Sequence, residues 1–462
     1  MTRRTLVLLA LGAFVTTLDN TIVAAGAPSI GRDLALGLGA LQWIALGYML
    51  PFAGVLPAGG ALVDRWGPRR TLTAALLAFG AGAAAGGLAG SLWLLVAARV
   101  LQGLAAAFLV PGLLSLLRSN LDARGRTLGA AVWTACLAAA LALGPALGGI
   151  LSAALGWAWI FFVNLPFVAA MLVLLPATTP PGRAGGETRA PPFTAMVLVT
   201  ASLVLLTTAL AEPRFALPLL AAGAVPGVVF AVRERRARDR LVPAALTGNR
   251  VFTGSLGLQL LWGLGISGVF FFTPLLHQEF LGLGPVGAGL PLVLVAVAVV
   301  AATPLVAPVV ARHGPLRTVA AGLAAVGAGL LALAAVNRLP ELWPRVPGLV
   351  VIGAGSAFTV PMTSHALDVV AERHSGTASG LLTAARELSS ALGVALIGAV
   401  LTAVRAARLE AGAAPPVALA GGYTAGLLAA AGLTFAGALL AVRVSGTRSA
   451  ETSSPRDKRA VP

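Results

Sequence analysis

Charged residues, cysteine, lysine and histidine are all scarce in this chain of 462 residues. Asp, Glu, Lys and Arg together make up 10% of it, against about a quarter in soluble domains. The apolar set AVILMFWYC makes up 58%. A water-soluble fold cannot hide that much apolar surface, whereas a bilayer can accommodate it. The composition therefore excludes an ordinary soluble domain and predicts an integral membrane protein.

The same scarcity removes several kinds of chemical site. The single cysteine, Cys136, cannot form an intramolecular disulfide and is interpreted as a small packing residue. The four histidines are scattered without metal-ligand spacing, and the phosphate-binding pattern G-x-x-x-x-G-K-[ST] does not occur. No nucleophile and base are set out as in an enzyme. We therefore predict no metal, no cofactor, no ATP motor and no enzymatic activity.

Apolar stretches make up most of the remaining sequence. Fourteen of them are candidate spans, and most reach the ~20 residues that a helix needs to cross the hydrocarbon core. We expect an all-α membrane protein, because lipid cannot satisfy open backbone groups. Most of the 32 basic residues lie in loops on the side of the N-terminus, which predicts that both termini are cytoplasmic. Lipid headgroups account for this charge, so no nucleic-acid partner is predicted.

An internal repeat divides the chain. The segments Val63–Thr71 and Val310–Thr318 share the pattern V-x-R-x-G-P-x-R-T, and the segments Leu143–Leu147 and Leu392–Leu396 are similar at nearly the same offset. Parallel repeats of this kind are one plan of membrane transporters. The predicted organisation is a six-helix bundle (1–180), two inserted helices with a basic linker (181–240), a second six-helix bundle (241–445) and a disordered cytoplasmic tail (446–462).

Five motifs resemble signatures of the major facilitator superfamily and of its fourteen-helix drug–proton antiporter branch. The segment Gly60–Arg70 resembles the family's loop between spans 2 and 3. Leu18–Val23 resembles the span-1 signature of the branch, and Arg99–Gly103 resembles the proton-coupling helix. Gly144–Gly149 resembles the antiporter signature of span 5, and Trp159–Pro166 fits span 6. The motifs occur in the expected order and on the expected spans.

This resemblance implies a fold and a function. Two six-helix bundles would rock about a cavity at the middle of the membrane, driven by the proton gradient. A monomer in a bacterial inner membrane would export lipophilic, cationic drugs or antibiotics and contact only protons, lipids and its small-molecule substrate. The Arg-rich, Ala- and Gly-rich composition is typical of a GC-rich genome. Alternatives are a dedicated exporter of one metabolite or antibiotic, a nutrient symporter or facilitator, and, least favoured, a membrane receptor or enzyme.

Four ionisable residues lie inside apolar spans: Asp19, Arg99, Arg386 and Glu387. A charge at this depth is costly and is retained when it is used or paired. Burial disfavours the charged form of a carboxyl group, so Asp19 is the predicted proton carrier. Arg99 keeps its proton and acts as a fixed charge that favours proton release from Asp19. The alternatives are a structural acid and a helix cross-link.

The two charges in the other half are neighbours in sequence. Adjacent helical residues point about 100° apart, so we expect that Arg386 and Glu387 are not simply each other's ion pair. Glu387 is a candidate for a second proton site or for a site that binds a cationic substrate, with a structural or gating pair as the alternative.

Two groups of residues are predicted to control conformation. The resemblance implies that the first group latches the cytoplasmic gate, although its arginines would also orient any membrane protein. The second group carries no chemistry, but it permits close helix contact and a bend, with ordinary packing as the alternative. The groups are Asp64, Arg65, Gly67, Arg69 and Arg70, and Gly144, Pro145, Gly148 and Gly149.

The candidate substrate pocket is aromatic, as suits a lipophilic cation. Its predicted lining residues lie within the spans rather than at the membrane interface, and ordinary lipid-facing or packing roles are the alternative. They are Tyr48, Gln102, Trp133, Trp262 and Phe271.

Overall fold

The computed structural model describes residues 2–179, 193–211, 215–237, 242–371 and 375–452. The elements of regular secondary structure in this part of the chain are α-helices, together with a 3-10 turn at Trp343–Arg345 and 3-10 backbone at Phe215. The helices are α1 (Thr2–Asp33), α2 (Leu38–Trp66), α3 (Pro68–Gly87), α4 (Leu92–Asn120), α5 (Ala123–Ala154), α6 (Trp159–Phe162), α7 (Asn164–Thr178), α8 (Phe193–Ala211), α9 (Ala216–Arg236), α10 (Ala244–Thr247), α11 (Arg250–Glu279), α12 (Pro285–His313), α13 (Pro315–Val336), α14 (Val346–Ala357), α15 (Pro361–Asp368), α16 (Ser375–Glu410) and α17 (Pro415–Thr452).

Twelve segments of the described residues are long and apolar enough to cross a membrane, where the sequence predicted fourteen spans. One of the twelve combines α6 with α7, and another combines the 3-10 turn with α14 and α15. The two other predicted spans correspond to α3, which has 20 residues and begins next to two arginines, and to α8, which has 19. The all-helical prediction is therefore confirmed, with twelve candidate spans.

Local sequence signals fix where several helices begin. The side chain of Ser91 accepts a hydrogen bond from the first turn of α4, Asp122 Oδ1 accepts one from Gly125 N at 2.8 Å, and Asn249 Oδ1 accepts two at the start of α11. These acceptors satisfy backbone donors that have no partner within the helix. The polar residues at the span ends thus set the register of the apolar segments between them.

The two copies of the repeated motif fold in the same way. Gly67 joins α2 to α3 with a φ of +82°, and Gly314 joins α12 to α13 with the same φ. A side chain is strained at this φ, so only glycine fits readily. In both copies the threonine four residues later donates its hydroxyl to the glycine carbonyl, at 3.0 Å from Thr71 and 2.8 Å from Thr318.

Helix packing repeats between the halves. In the first half α1 packs on α5, and α4 packs on both α2 and α3; in the second half α11 packs on α16, and α14 packs on both α12 and α13. The halves meet where α2 contacts α16, α5 contacts α12, and α1 contacts α11. Helices α8 and α9 pair with each other, and α8 also packs against α2 and α16.

Parts of the predicted organisation fall outside the described residues. These parts are residues 180–192, at the start of the predicted inserted segment, residues 238–241, at the end of its basic linker, and residues 453–462 of the predicted tail. The start of that tail is helical, because α17 continues to Thr452. The described basic cluster at Arg233, Arg235 and Arg236 forms the last turn of α9.

Candidate functional site

Asp19 lies at the centre of a polar cluster enclosed by apolar helices. Its side chain is fully buried. Its Oδ2 pairs with Arg99 Nη1 of α4 at 2.5 Å, and its Oδ1 accepts hydrogen bonds from Gln102 Nε2 at 2.9 Å and Asn164 Nδ2 at 2.8 Å. Three helices, α1, α4 and α7, therefore converge on one carboxylate. Three donors aimed at two oxygens offset the cost of burying the carboxyl group.

Arg99 is held from several directions. Its side chain is fully buried, its Nε donates to the carbonyl of Ile44 at 3.2 Å, and its Nη1 also donates to Gln102 Oε1 at 3.0 Å. Its Nη2 is buried and has no hydrogen-bond partner among the described residues. The guanidinium is therefore anchored to α2 and to its own helix as well as to Asp19.

Tyr48 completes the cluster from α2. The Arg99 guanidinium carbon lies 4.5 Å from the centre of the Tyr48 ring, within the range of a cation–π interaction. The Tyr48 hydroxyl donates to the carbonyl of Thr16 in α1 at 3.2 Å. Tyr48 and Gln102, both predicted to line the substrate pocket, are fully buried in contact with the ion pair in this conformation.

Asn164 is the functional residue that sequence reasoning missed. It appeared there only as a letter in the span-6 motif, yet its side chain is fully buried and binds Asp19 directly. Its Nδ2 also donates to the carbonyl of Phe161 at 3.2 Å, which fixes the orientation of the amide. The signal that could have found it is the presence of a polar side chain at the start of an otherwise apolar helix.

Arg386 and Glu387 require a correction. We expected that they would not simply pair with each other, but Arg386 Nη2 lies 3.2 Å from Glu387 Oε1. The expectation considered only the directions in which adjacent side chains leave the helix. The arginine side chain is long enough to fold back across the 100° separation. The two side chains differ in solvent exposure, which is 10% for Glu387 and 42% for Arg386.

The small residues of α5 divide between two partners. A Cβ at Gly144 would lie 2.0 Å from Thr21 Oγ1, and one at Gly148 would lie 2.4 Å from the carbonyl of Ile22. These two glycines therefore allow α5 to pack closely against the part of α1 that immediately follows Asp19. Gly149 faces the other half of the molecule, since a Cβ there would lie 2.5 Å from the carbonyl of Pro285 in α12.

A glycine of α12, Gly289, makes the matching close contact with α5. A Cβ at Gly289 would lie 2.4 Å from the Pro145 carbonyl. The predicted conformational motif therefore joins an intra-half seam, made with α1, to an inter-half seam, made with α12. Both seams lie toward the end of α5 that is remote from the N-terminus.

The predicted gate residues lie between α2 and α3, at the end of the bundle opposite to the two seams of α5. Asp64 and Arg65 end α2, with the Arg65 side chain exposed, and Gly67 makes the turn into α3. Arg69 is half-buried and Arg70 is exposed in the first turn of α3. Within the described side chains, no ion pair is made by these three arginines, so their gating role stays a prediction.

The aromatic pocket candidates are spread over both halves. Trp133 of α5 is half-buried against the core of the first half, and Trp262 of α11 is half-buried in the second. Phe271 is buried and packs edge-on against Phe272, with ring centroids 5.0 Å apart. Their role in the pocket stays a prediction.

Two helical halves of equal plan, with an ion pair buried in the first, make up the arrangement of a secondary transporter. Comparison with known families agrees with this class. Residues 9–394 match the model of the Major Facilitator Superfamily. The chain belongs to the Major Facilitator Superfamily.

Characterised relatives span most of the chain. The puromycin resistance protein pur8 of Streptomyces alboniger is 31% identical over 457 residues, which cover 94% of this chain and 90% of the relative. The multidrug efflux pump LfrA of Mycolicibacterium smegmatis is 32% identical, covering 86% and 80%. The tetracenomycin C resistance and export protein of Streptomyces glaucescens is 30% identical, covering 86% and 75%.

Solved structures share the fold at low sequence identity. A peptide transporter POT in complex with sulfate has a TM-score of 0.72 at 15% identity, covering 96% of this chain and 94% of that chain. The human organic anion transporter MFSD10 has a TM-score of 0.63 at 17% identity, covering 95% and 99%. These likenesses establish the major facilitator fold and nothing about substrate.

Proposed function

We propose that this protein is a proton-coupled efflux transporter that exports lipophilic, cationic drugs or antibiotics by alternating access. The observation that carries the proposal is the ion pair between Asp19 and Arg99, which is fully buried and receives hydrogen bonds from or donates them to two further side chains, Gln102 and Asn164. A buried charge cluster of this kind is costly to build inside a membrane protein. A transport cycle in which Asp19 is protonated and deprotonated explains why the protein retains such a costly cluster.

In the proposed cycle Asp19 carries the proton and Arg99 sets when it is released. With the two side chains in contact, as here, the ionised carboxylate is favoured. A conformational change that separates α1 from α4 removes the guanidinium from Asp19 Oδ2 and favours uptake of a proton. The fixed charge of Arg99 thereby links the protonation state to the conformation.

The energy available from one proton is adequate for export. One charge crossing 100 mV supplies ~2.3 kcal/mol, and one pH unit adds ~1.36 kcal/mol. Their sum supports a substrate gradient of roughly a few hundredfold, if substrate movement carries no net charge. No other cofactor or energy source is needed in this scheme.

The proposed topology has fourteen spans, with α3 and α8 added to the twelve candidates and both termini in the cytoplasm of a bacterial cell. The basic last turn of α9, at Arg233, Arg235 and Arg236, supports this orientation. The position of α8 against α2 supports its inclusion, since a Cβ at Gly54 would lie 2.2 Å from Thr200 Oγ1. Helices α8 and α9 would then be the inserted pair of the fourteen-helix branch.

A dedicated exporter of one antibiotic is the second candidate. Two of the relatives are described by resistance to a single compound, puromycin or tetracenomycin C, whereas LfrA is described as a multidrug pump. Glu387 favours cationic substrates for either kind of exporter, because it is a largely buried acid in the second half. Side-by-side export of a cationic dye and several antibiotics separates the two candidates.

Everted membrane vesicles containing the protein test the proposed function. Addition of a respiratory substrate acidifies the lumen, and we expect ethidium to accumulate there against its gradient. A protonophore should abolish the accumulation, whereas ATP depletion at a constant imposed pH gradient should leave it unchanged. Glu410→Gln is the control for variants that remove an acid, such as Asp19→Asn. Glu410 is exposed at the last residue of α16, so this variant should transport like the wild type. Accumulation that survives the protonophore would contradict the proposal.

A further inference from the structure

A cavity lies away from the ion pair, at the end of the bundle opposite to the start of α1 and the end of α17. Its volume is about 270 Å³. The end of α1 and the loop to α2 form one wall, and the ends of α11 and α16 and the start of α17 form the other. Both halves of the protein therefore contribute to it. In the proposed topology it opens to the outside of the cell.

One cation in this cavity is already neutralised. Arg32 of α1 lies 3.5 Å from Glu279 Oε1 of α11, and its Nη2 donates to Gln278 Oε1 at 3.2 Å. Gln278 in turn donates to the carbonyl of Ala25 at 3.3 Å. These contacts tie the ends of α1 and α11 together across the two halves.

The second cation is not neutralised. Arg405 of α16 lines the same cavity, and its Nε is buried without a hydrogen-bond partner among the described residues. Arg405 makes no ion pair with a described carboxylate. The acid in the described lining, Glu279, pairs with Arg32 instead. A buried donor without an acceptor is costly. An anionic group in the cavity would balance the net positive charge of the described lining.

The rest of the lining is apolar. Leucines of both halves line the cavity, and prolines line it near the end of α1 and at the start of α17. These apolar lining residues include Leu36, Leu38, Leu41, Leu275, Leu419 and Pro415. A hydrated inorganic anion would lose water against these walls without compensation. The lining suits an apolar body that carries one carboxylate or sulfonate, for which the planar guanidinium provides two parallel donors.

We propose that this cavity is a binding site for small apolar monoanions, with Arg405 as the residue that recognises the anionic group. The site is distinct from Asp19 and Arg99. Because both halves line it, an occupant binds better to the conformation in which these helix ends are together than to one in which they are apart. The ligand thus stabilises the closed end of the transporter.

Binding to the purified full-length protein in lipid nanodiscs tests the site without relying on transport. The probes are naphthalene-2-sulfonate, the neutral 2-naphthalenemethanol and the cationic 2-naphthylmethylammonium, with heats of binding measured by calorimetry. We expect the sulfonate to bind at least tenfold more tightly than either analogue. Equal affinity for the three probes would reduce the cavity to an unselective apolar crevice and overturn the proposal.

Two variants locate the binding. Arg405→Gln should weaken sulfonate binding at least tenfold, because the lining loses the cation that pairs with the sulfonate. The matched control is Arg408→Gln on the same helix, since Arg408 packs over Gly421 and is not part of the lining. Its affinity should stay within twofold of the wild type. Unchanged binding in Arg405→Gln, or an equal loss in Arg408→Gln, contradicts the assignment.

A third variant tests the dependence on conformation. Gly149→Ala lies outside the cavity but forces a Cβ against the carbonyl of Pro285 at the seam between the halves. We expect weaker sulfonate binding in this variant, because the closed end is disfavoured. Wild-type affinity in Gly149→Ala would show that the occupant does not sense how the halves are arranged.

Discussion

Asp19 and Arg99 are separated by 80 residues in the chain, yet their side chains form an ion pair at 2.5 Å with no exposure of either partner. The pair joins α1 to α4 within the first half of the protein. Removing one partner of a buried pair typically costs 3–5 kcal/mol, because the other charge is left uncompensated. The proposed mechanism therefore depends on moving a proton onto Asp19 when the guanidinium leaves, so that neither state contains an unpaired buried carboxylate.

Asn164 should set the pH at which the transporter releases its proton. Asn164→Leu removes one donor to the ionised carboxylate, and a hydrogen bond to a charged group contributes about 1.5–3 kcal/mol. The protonated form is then relatively favoured, so the midpoint of substrate-driven proton release should move to higher pH. The measurement is proton release from purified protein on addition of substrate, as a function of pH.

The control for this variant lies in the second half. Asn337→Leu also removes a buried asparagine, but its Nδ2 donates to the carbonyl of Ala420 at 2.9 Å and to Thr424 rather than to an acid. It should lower thermal stability without moving the midpoint. A common shift in both variants, or no shift in Asn164→Leu, would mean that the Asn164 amide does not act through Asp19.

Tyr48 should contribute through its ring more than through its hydroxyl. Tyr48→Phe keeps the ring beneath Arg99 and loses only the hydrogen bond to Thr16, whereas Tyr48→Leu loses both. A desolvated cation–π contact contributes about 2 kcal/mol. We expect near-normal efflux from the Phe variant and a clear loss of efflux and thermal stability in the Leu variant. Equal defects in the two would assign the effect to the hydroxyl.

The two seams of α5 should respond differently to a single methyl group. Gly148→Ala places a Cβ against the Ile22 carbonyl within one half, so it should lower the melting temperature. Gly149→Ala meets Pro285 of the other half, so it should slow efflux while the protein stays folded. Gly432→Ala, in the interior of α17 with open space around it, is the control that should be tolerated in both measurements.

Glu387 should affect substrate affinity rather than proton coupling. In Glu387→Gln the amide remains close in shape but loses the charge that faces Arg386. We expect weaker binding of cationic dyes, unchanged binding of neutral substrates and persistent substrate-driven proton release. Complete loss of proton release in this variant would instead make Glu387 a second obligatory proton site.

The sequence was most informative where a residue broke a strong pattern. Asp19 and Arg99 could be identified because a charge inside an apolar helix is rare, and the turn at Gly67 because its motif recurs at Gly314. Asn164 carries no charge, so its presence in a span was a weak signal even though it contacts Asp19. Its role depends on three helices meeting at one point, which spacing along the chain does not reveal.

Side-chain reach and the choice of helix partner were the other features that the sequence did not determine. The pairing of Arg386 with Glu387 depends on how a long side chain folds, not on the direction of its Cβ. Periodicity placed Gly144 and Gly148 on one face of a helix, but it could not say that this face packs on α1 while Gly149 packs on α12. The position of Tyr48 beneath Arg99 is likewise a consequence of packing between helices.

Substrate-driven proton movement in Asp19→Asn is the most direct test of the central claim. Purified protein in weakly buffered solution receives a cationic dye, and proton release and dye binding are recorded on the same sample. The asparagine keeps the size of the side chain but cannot exchange a proton, so dye should still bind while proton release is lost. Unchanged dye-driven proton release in Asp19→Asn would contradict the assignment of Asp19 as the proton carrier.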